Sequence, residues 1–279
     1  MKRVLLSILV SALFAIPVSA ATTWSAVDRV PAVGKQILTK NGLPTDTNFV
    51  VTETSVTNSS SNANNELYIQ KEDLKYTGND NEVAAVISQE LGGVINANAS
   101  KKKFVSTVTS ALAGNLQNEN AQNKALLLNE LSINSMSAKD QMDADITGID
   151  LMIQAGYNPL AMIVVLGKKP GSTWETMTGQ LNNIKRTTYV YDYLTYNYPS
   201  KVQAGYNCQE YRNFLAYIEP TLTERSSSAK LQKKFEKQQE KIKKQRAKKI
   251  AKYKATGGLN GWDASYQVLK NLSEQSEIK

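Results

Sequence analysis

Between Asn79 and Ala99, apolar residues recur at Val83, Ile87, Leu91 and Val94, with Ala84 and Ile95 beside them. That spacing predicts a helix with one buried face. Asn79 followed three residues later by Glu82 marks its start. Upstream, Trp24, Val27, Val30, Val33 (or Ala32), Ile37 and Leu38 predict a helix over Trp24–Lys40. Pro31 predicts a kink or a split in it, and Asn41-Gly42 its end. Asn48 to Thr57 is rich in Val and Thr and predicts a strand. Asn58 to Asn65 predicts a turn, and Glu66 to Gln70 a second strand.

Downstream, Val105, Val108, Leu112 and Leu116 predict another helix, followed by a buried helical stretch around Leu126–Leu128 and Leu131. Ser137 to Ala155 predicts a helix with Met142, Ile146, Ile149 and Ile153 on its core face. Gly156 is its stop, and Pro159 suits the first turn of the next helix, which runs to about Gly167. Pro170 to Thr178 reads as a loop. Leu181 to Tyr198 reads as a helix rich in tyrosine, an amphipathic packing surface in preference to a stacking platform for sugars or bases. Ser226 to Thr256 is a long basic helix with a thin apolar stripe at Leu231, Phe235, Ile242, Ile250 and Tyr253.

Within the Asn79 helix lies Gln89-Glu90-Leu91-Gly92-Gly93. Gln89 and Gly93 are four apart and share a face, with Glu90 next to them. A zinc-peptidase helix carries His-Glu-x-x-His in this register, two imidazoles for the metal and the Glu as general base. Leu67-Tyr68-Ile69, Leu74, Tyr76-Thr77-Gly78 and Asn81 to Ile87 precede the pentapeptide. Downstream come Gln141-Met142-Asp143-Ala144-Asp145, Leu151-Met152 and Ala155-Gly156-Tyr157-Asn158-Pro159. Together, over roughly Trp24 to Lys169, these segments resemble the family that includes the membrane protease HtpX, the periplasmic protease-chaperone BepA and the CAAX prenyl proteases. The resemblance implies an α+β, mostly helical zincin-like domain with a small sheet, here followed by the basic helix. It implies zinc in family members, on positions that fall at Gln89, Gly93 and Gln141. Glu90 takes the place of the general base. Asp145 takes that of an outer carboxylate that orients a ligand imidazole. The resemblance also makes the Glu66–Gln70 strand a border of the substrate cleft; an ordinary sheet strand is the alternative.

Composition changes this picture. The 279-residue chain contains no histidine and one cysteine, Cys208, which can form no intrachain disulfide. The three ligand positions hold two neutral amides and a glycine, poor partners for zinc. Bound zinc lowers the pKa of water from about 15.7 to about 7, and a positioned base alone supplies only about 10²–10⁴-fold. The expectation is therefore a pseudo-peptidase with no metal and no cofactor. In it Glu90 is vestigial, and the former cleft holds an extended peptide or protein. Two alternatives stay open: an active metalloendopeptidase with atypical ligation, and an envelope adaptor that binds polyanions through its basic helix.

The net charge of +8 is uneven, because Lys230 to Lys254 carries twelve Lys/Arg against two Glu. Such a segment attracts an anionic envelope polymer or lipid as well as water; there is no specific nucleic-acid motif. Lys2-Arg3, the apolar run Val4–Ile16 and Val18-Ser19-Ala20 read as a signal peptide cleaved near Ala20. They predict export to a periplasm or the exterior. The expected organisation is a signal peptide over 1–20, a metallopeptidase-like domain over 21–222, the basic helix over 226–256 and a docking tail over 257–279.

Overall fold

The computed structural model describes residues 24–53, 66–100 and 138–255. The predicted signal peptide, the Asn58–Asn65 turn, the helical stretches between Lys101 and Ser135 and the tail from Gly257 onward lie outside these residues.

Helix α1 spans Ala26–Asn41. Ser25 caps its first turn, and Gly42 ends it in the left-handed region at φ 65°. Pro31 does not split it: the proline lies on the exposed side, where the carbonyl it deprives of a partner can meet water. Val30, Val33, Ile37 and Leu38 are buried as their spacing predicts, but Trp24 is exposed. Strand β1, Asn48–Thr52, pairs in parallel with β2, Glu66–Gln70, with Asn48 opposite Glu66. Leu67 and Ile69 of β2 face the core. The short α2, Lys71–Leu74, follows directly.

Helix α3, Asp80–Ser100, is the centre of the body. The Asn79–Glu82 start forms as a reciprocal cap. The Asn79 side chain accepts from the amides of Asn81 and Glu82, while Glu82 accepts from the Gly78 amide. Glu82 is nearly fully buried and also receives Lys168 and the Tyr206 hydroxyl, which ties the start of α3 to later parts of the chain.

Helix α4, Ala138–Gln154, lies antiparallel to α3. The two come unusually close. A Cβ on Gly92 would stand 2.3 Å from the Ala144 carbonyl oxygen, and one on Gly148 would stand 2.8 Å from that of Ser88. The buried Asn96 bridges the pair, donating to Gly92 O, Asp143 O and Thr147 Oγ1. Gly156, at φ 85°, ends α4 as predicted.

Helix α5, Ala161–Lys168, is buried over most of its length. The predicted loop after it contains a short helix, α6, Thr173–Met177. Five residues are too few to show an apolar period, but Ser172 and Glu175 form a complete capping box. Helix α7 spans Ile184–Asn197, α8 Pro199–Ala204 and α9 Gln209–Ser227. Two tyrosines of α7 pack in the core, Tyr191 edge to face with Phe214 and Tyr193 in the same way with Tyr198, whereas Tyr196 is half-buried and lines an open cavity against the basic segment. Cys208, partly buried, caps α9 through its sulfur.

Helix α10, Ala229–Ala255, is the basic segment. It packs on α3, α7 and α9. Its buried seam is Phe235, Gln239, Ile242 and Arg246, two apolar residues and two polar ones. The fold is thus α+β, mostly helical, with one small parallel sheet. Among the described residues, no helix is long and apolar enough to cross a membrane.

Candidate functional site

The two segments singled out by sequence, 56 residues apart, meet where α3 crosses α4. Gln89 Nε2 donates to Asp145 Oδ1 at 2.8 Å. Both residues arrive there because Gly92 and Gly148 allow the helix backbones to approach so closely. Asp145 is fully buried, so its charge needs compensation in place. Arg186, in the first turn of α7, supplies it with a two-pronged contact: Nε to Oδ2 at 2.9 Å and Nη2 to Oδ1 at 2.7 Å. The resemblance gives Asp145 the place of a carboxylate that orients a ligand imidazole, and no imidazole is present in this sequence. The carboxylate orients an amide and a guanidinium instead.

Gln89 is held from its other side as well. Lys169, just past the end of α5, donates to Gln89 Oε1 at 3.1 Å and pairs with Asp73 of α2 at 3.0 Å. The result is a chain of contacts from Asp73 through Lys169, Gln89 and Asp145 to Arg186. Its two carboxylates and two cations balance, and it ties together α2, α3, α4, α7 and the end of α5. Neither Lys169 nor Arg186 is legible as a site residue in the sequence. Lys168-Lys169 looks like a solvated helix end, and Ile184-Lys185-Arg186 like an ordinary helix start.

The other expected positions are placed as follows. Glu90 is partly buried on α3, next to Gln89. Gly93 stands one turn further along α3, and Gln141 one turn back along α4 from Asp145. The antiparallel register brings these two to the same level. Among the described residues a Cβ at Gly93 would meet nothing within 4 Å, so unlike Gly92 it borders open space there.

Zinc needs imidazole, thiolate or carboxylate donors, three or four around one point. Gln89, Gly93 and Gln141 offer two amides and no side chain at all. Asp145 is already engaged by a guanidinium, and Lys169 brings a positive charge against Gln89. Among the described residues, no three His, Cys, Asp or Glu side chains cluster closely enough to hold a metal ion. The residues present do not fit zinc.

A second buried charge cluster lies elsewhere on α4. Asp150, fully buried, accepts from the hydroxyls of Tyr193 and Tyr198 and lies 2.7 Å from Arg246 Nη2. Burial pushes the Asp150 carboxyl above its usual range, against the pull of Arg246 and the two phenols. No protein-family model, no curated protein and no solved structure matches this chain.

Proposed function

We propose that this chain is a metal-free relative of the HtpX, BepA and CAAX-protease type of zinc metallopeptidase. In this reading it is a pseudo-peptidase of the cell envelope, reached by export, and its role is to bind or scaffold peptides or proteins. Support comes first from the two matching segments and their order along the chain. The observation that carries the reading is the occupation of Gln89 and Asp145 by Lys169 and Arg186. In a zinc hydrolase of this type the residue at the Gln89 position is an imidazole that holds the dication on one side and is oriented on the other by the outer carboxylate at the Asp145 position. Here Lys169 and Arg186 hold the two side chains instead, and without a bound dication Glu90 would lack the activated water that a general base deprotonates. Among the described residues, the open space at Gly93 leaves room for a peptide segment.

The test is metal content and its restoration. Wild-type protein should carry no stoichiometric zinc after purification in zinc-containing buffer. The variant Gln89→His, Gly93→His, Gln141→Glu, with Lys169→Met to clear the cation, should take up about one equivalent. Zinc in the wild type together with chelator-sensitive proteolysis would make the chain an active metalloendopeptidase and end the proposal. A quadruple variant that folds, as judged by circular dichroism, yet binds no zinc would show that the two segments do not frame a former metal site.

A further inference from the structure

The face of α10 opposite its buried seam has an unusual composition. Phe235, Gln239, Ile242 and Arg246 point into the body. At about 100° per residue, Lys230, Lys233, Lys234, Lys237, Lys241, Lys244 and Lys248 all fall within an arc of about 100° on the far side. All seven are exposed. No ion pair engages any of them among the described residues, although Glu236 and Glu240 lie on the same helix. At about 1.5 Å per residue the crest is about 27 Å long, close to one positive charge every 4 Å.

The crest is rigid because the helix is fixed from behind. The Arg246–Asp150 contact and the Phe235 ring, which meets Tyr196 edge to face, hold its register on the body. Among the described residues of α10, Phe235 and Ile242 are therefore already packed on the body and are not available to insert into a bilayer.

We infer that this lysine crest is a docking surface for an anionic phospholipid bilayer, contacted from the water side without insertion. Three observations favour a plane over a polymer chain. A chain would lie in the open cavity of about 840 Å³ beside the crest, but Glu236 and Glu240 line that cavity together with the lysines. A plane resting on the crest meets lysines only. Between Lys230 and Lys248 the arc of the crest carries lysines and no ring, and Tyr196, which lines the neighbouring cavity, is tied by its hydroxyl to Glu240 and packed edge to face on Phe235, so no series of rings alternates with the lysines for successive bases to stack on. The charges are all lysines, which act as point charges and lack the planar fork that arginine offers a single phosphate. The surface stands independently of what the α3–α4 site does.

The experiment is co-sedimentation of the purified full chain with vesicles. The bilayers are phosphatidylcholine alone and phosphatidylcholine with about 30 mol% phosphatidylglycerol. Binding should require the anionic lipid and be released between about 0.1 and 0.5 M NaCl. Lys234, Lys237, Lys241 and Lys244 together changed to Gln should weaken it by about tenfold or more. The same four changed to Arg should retain it. A control with Lys35, Lys40, Lys185 and Lys201 changed to Gln removes the same net charge elsewhere and should bind like wild type. Equal losses in the two glutamine variants would reduce the effect to net charge and overturn the proposal. So would lysine-dependent binding to a short DNA duplex with no binding to the vesicles, which would make the partner a nucleic acid.

Discussion

Arg246, late in the basic helix, lies 2.7 Å from the fully buried carboxylate of Asp150 on α4. The most highly charged segment of the chain is thus fastened to the core by a charge. Removing one partner of a buried pair leaves the other uncompensated, at a cost of about 3–5 kcal/mol. Arg246→Ala is expected to lower the unfolding free energy by that amount in urea. Asp150→Asn in the Arg246→Ala background removes the stranded charge while keeping an acceptor for the Tyr193 and Tyr198 hydroxyls, and should recover part of the loss. An unchanged urea midpoint for Arg246→Ala would mean that α10 does not dock there.

The adjacent glycines Gly92 and Gly93 should respond in opposite ways. A methyl group at Gly92 meets the Ala144 carbonyl at 2.3 Å, and backbone cannot swing aside. Gly92→Ala is expected to cost about 1–3 kcal/mol or more, and Gly148→Ala to behave similarly. Gly93→Ala enters open space in a helix interior and should stabilise by about 0.5–1 kcal/mol. Thermal melts of the three variants read the difference, and equal effects at 92 and 93 would contradict the close crossing of α3 and α4.

Much of the body was legible in the apolar spacing. The core faces of α1, α3 and α4 fall where Val30, Val83, Ile87, Ile146 and Ile149 predict. The resemblance set the two segments around one cleft, but the Gln89–Asp145 hydrogen bond was not legible, because without an imidazole the sequence offers Asp145 no evident partner. Nor were Arg186, Lys169 and Asp73, because a single charged residue at a helix end carries no period and usually means solvent. The seam of α10 was only half visible: Phe235 and Ile242 mark it, but Gln239 and Arg246 look like surface residues until Asp150 supplies a reason to bury one of them. Short α6 escaped because its only signal was the Ser172–Glu175 cap. Helix α9, which buries Tyr211, Phe214 and Ile218, has a helical spacing that Pro220 obscures.

Glu175 gives a pH dependence with a definite sign. Burial works to raise its pKa. The amides of Ser172, Asn183 and Ile184 and the Ser172 hydroxyl outweigh burial, and the carboxyl is held below the usual range. A group whose pKa is depressed on folding stabilises the fold above its unfolded value, here near 4.5. That contribution is lost as pH falls through the lower folded value. Glu175→Gln should therefore cost about 1.5–3 kcal/mol at neutral pH. The gap between variant and wild type should close under acid. A gap that stays constant between neutral and acidic urea titrations would show that the charge of Glu175 is not what holds the turn into α7.

Arg186 decides whether the α3–α4 site is a closed electrostatic unit. Its fork on Asp145 is the main compensation for a carboxylate with no exposure to water, since Gln89 offers only a neutral amide. Arg186→Ala is expected to cost about 3–5 kcal/mol in urea unfolding. Arg186→Lys keeps the charge but loses one of the two parallel contacts, and should recover only part of that loss. Asp145→Asn in the Arg186→Ala background removes the stranded charge and should restore much of the stability, giving a large coupling energy between the two sites. Additive losses would mean that Asp145 does not depend on Arg186. The carboxylate would then be free to serve another cation, and the case for a site sealed by protein charges would fail at its first link.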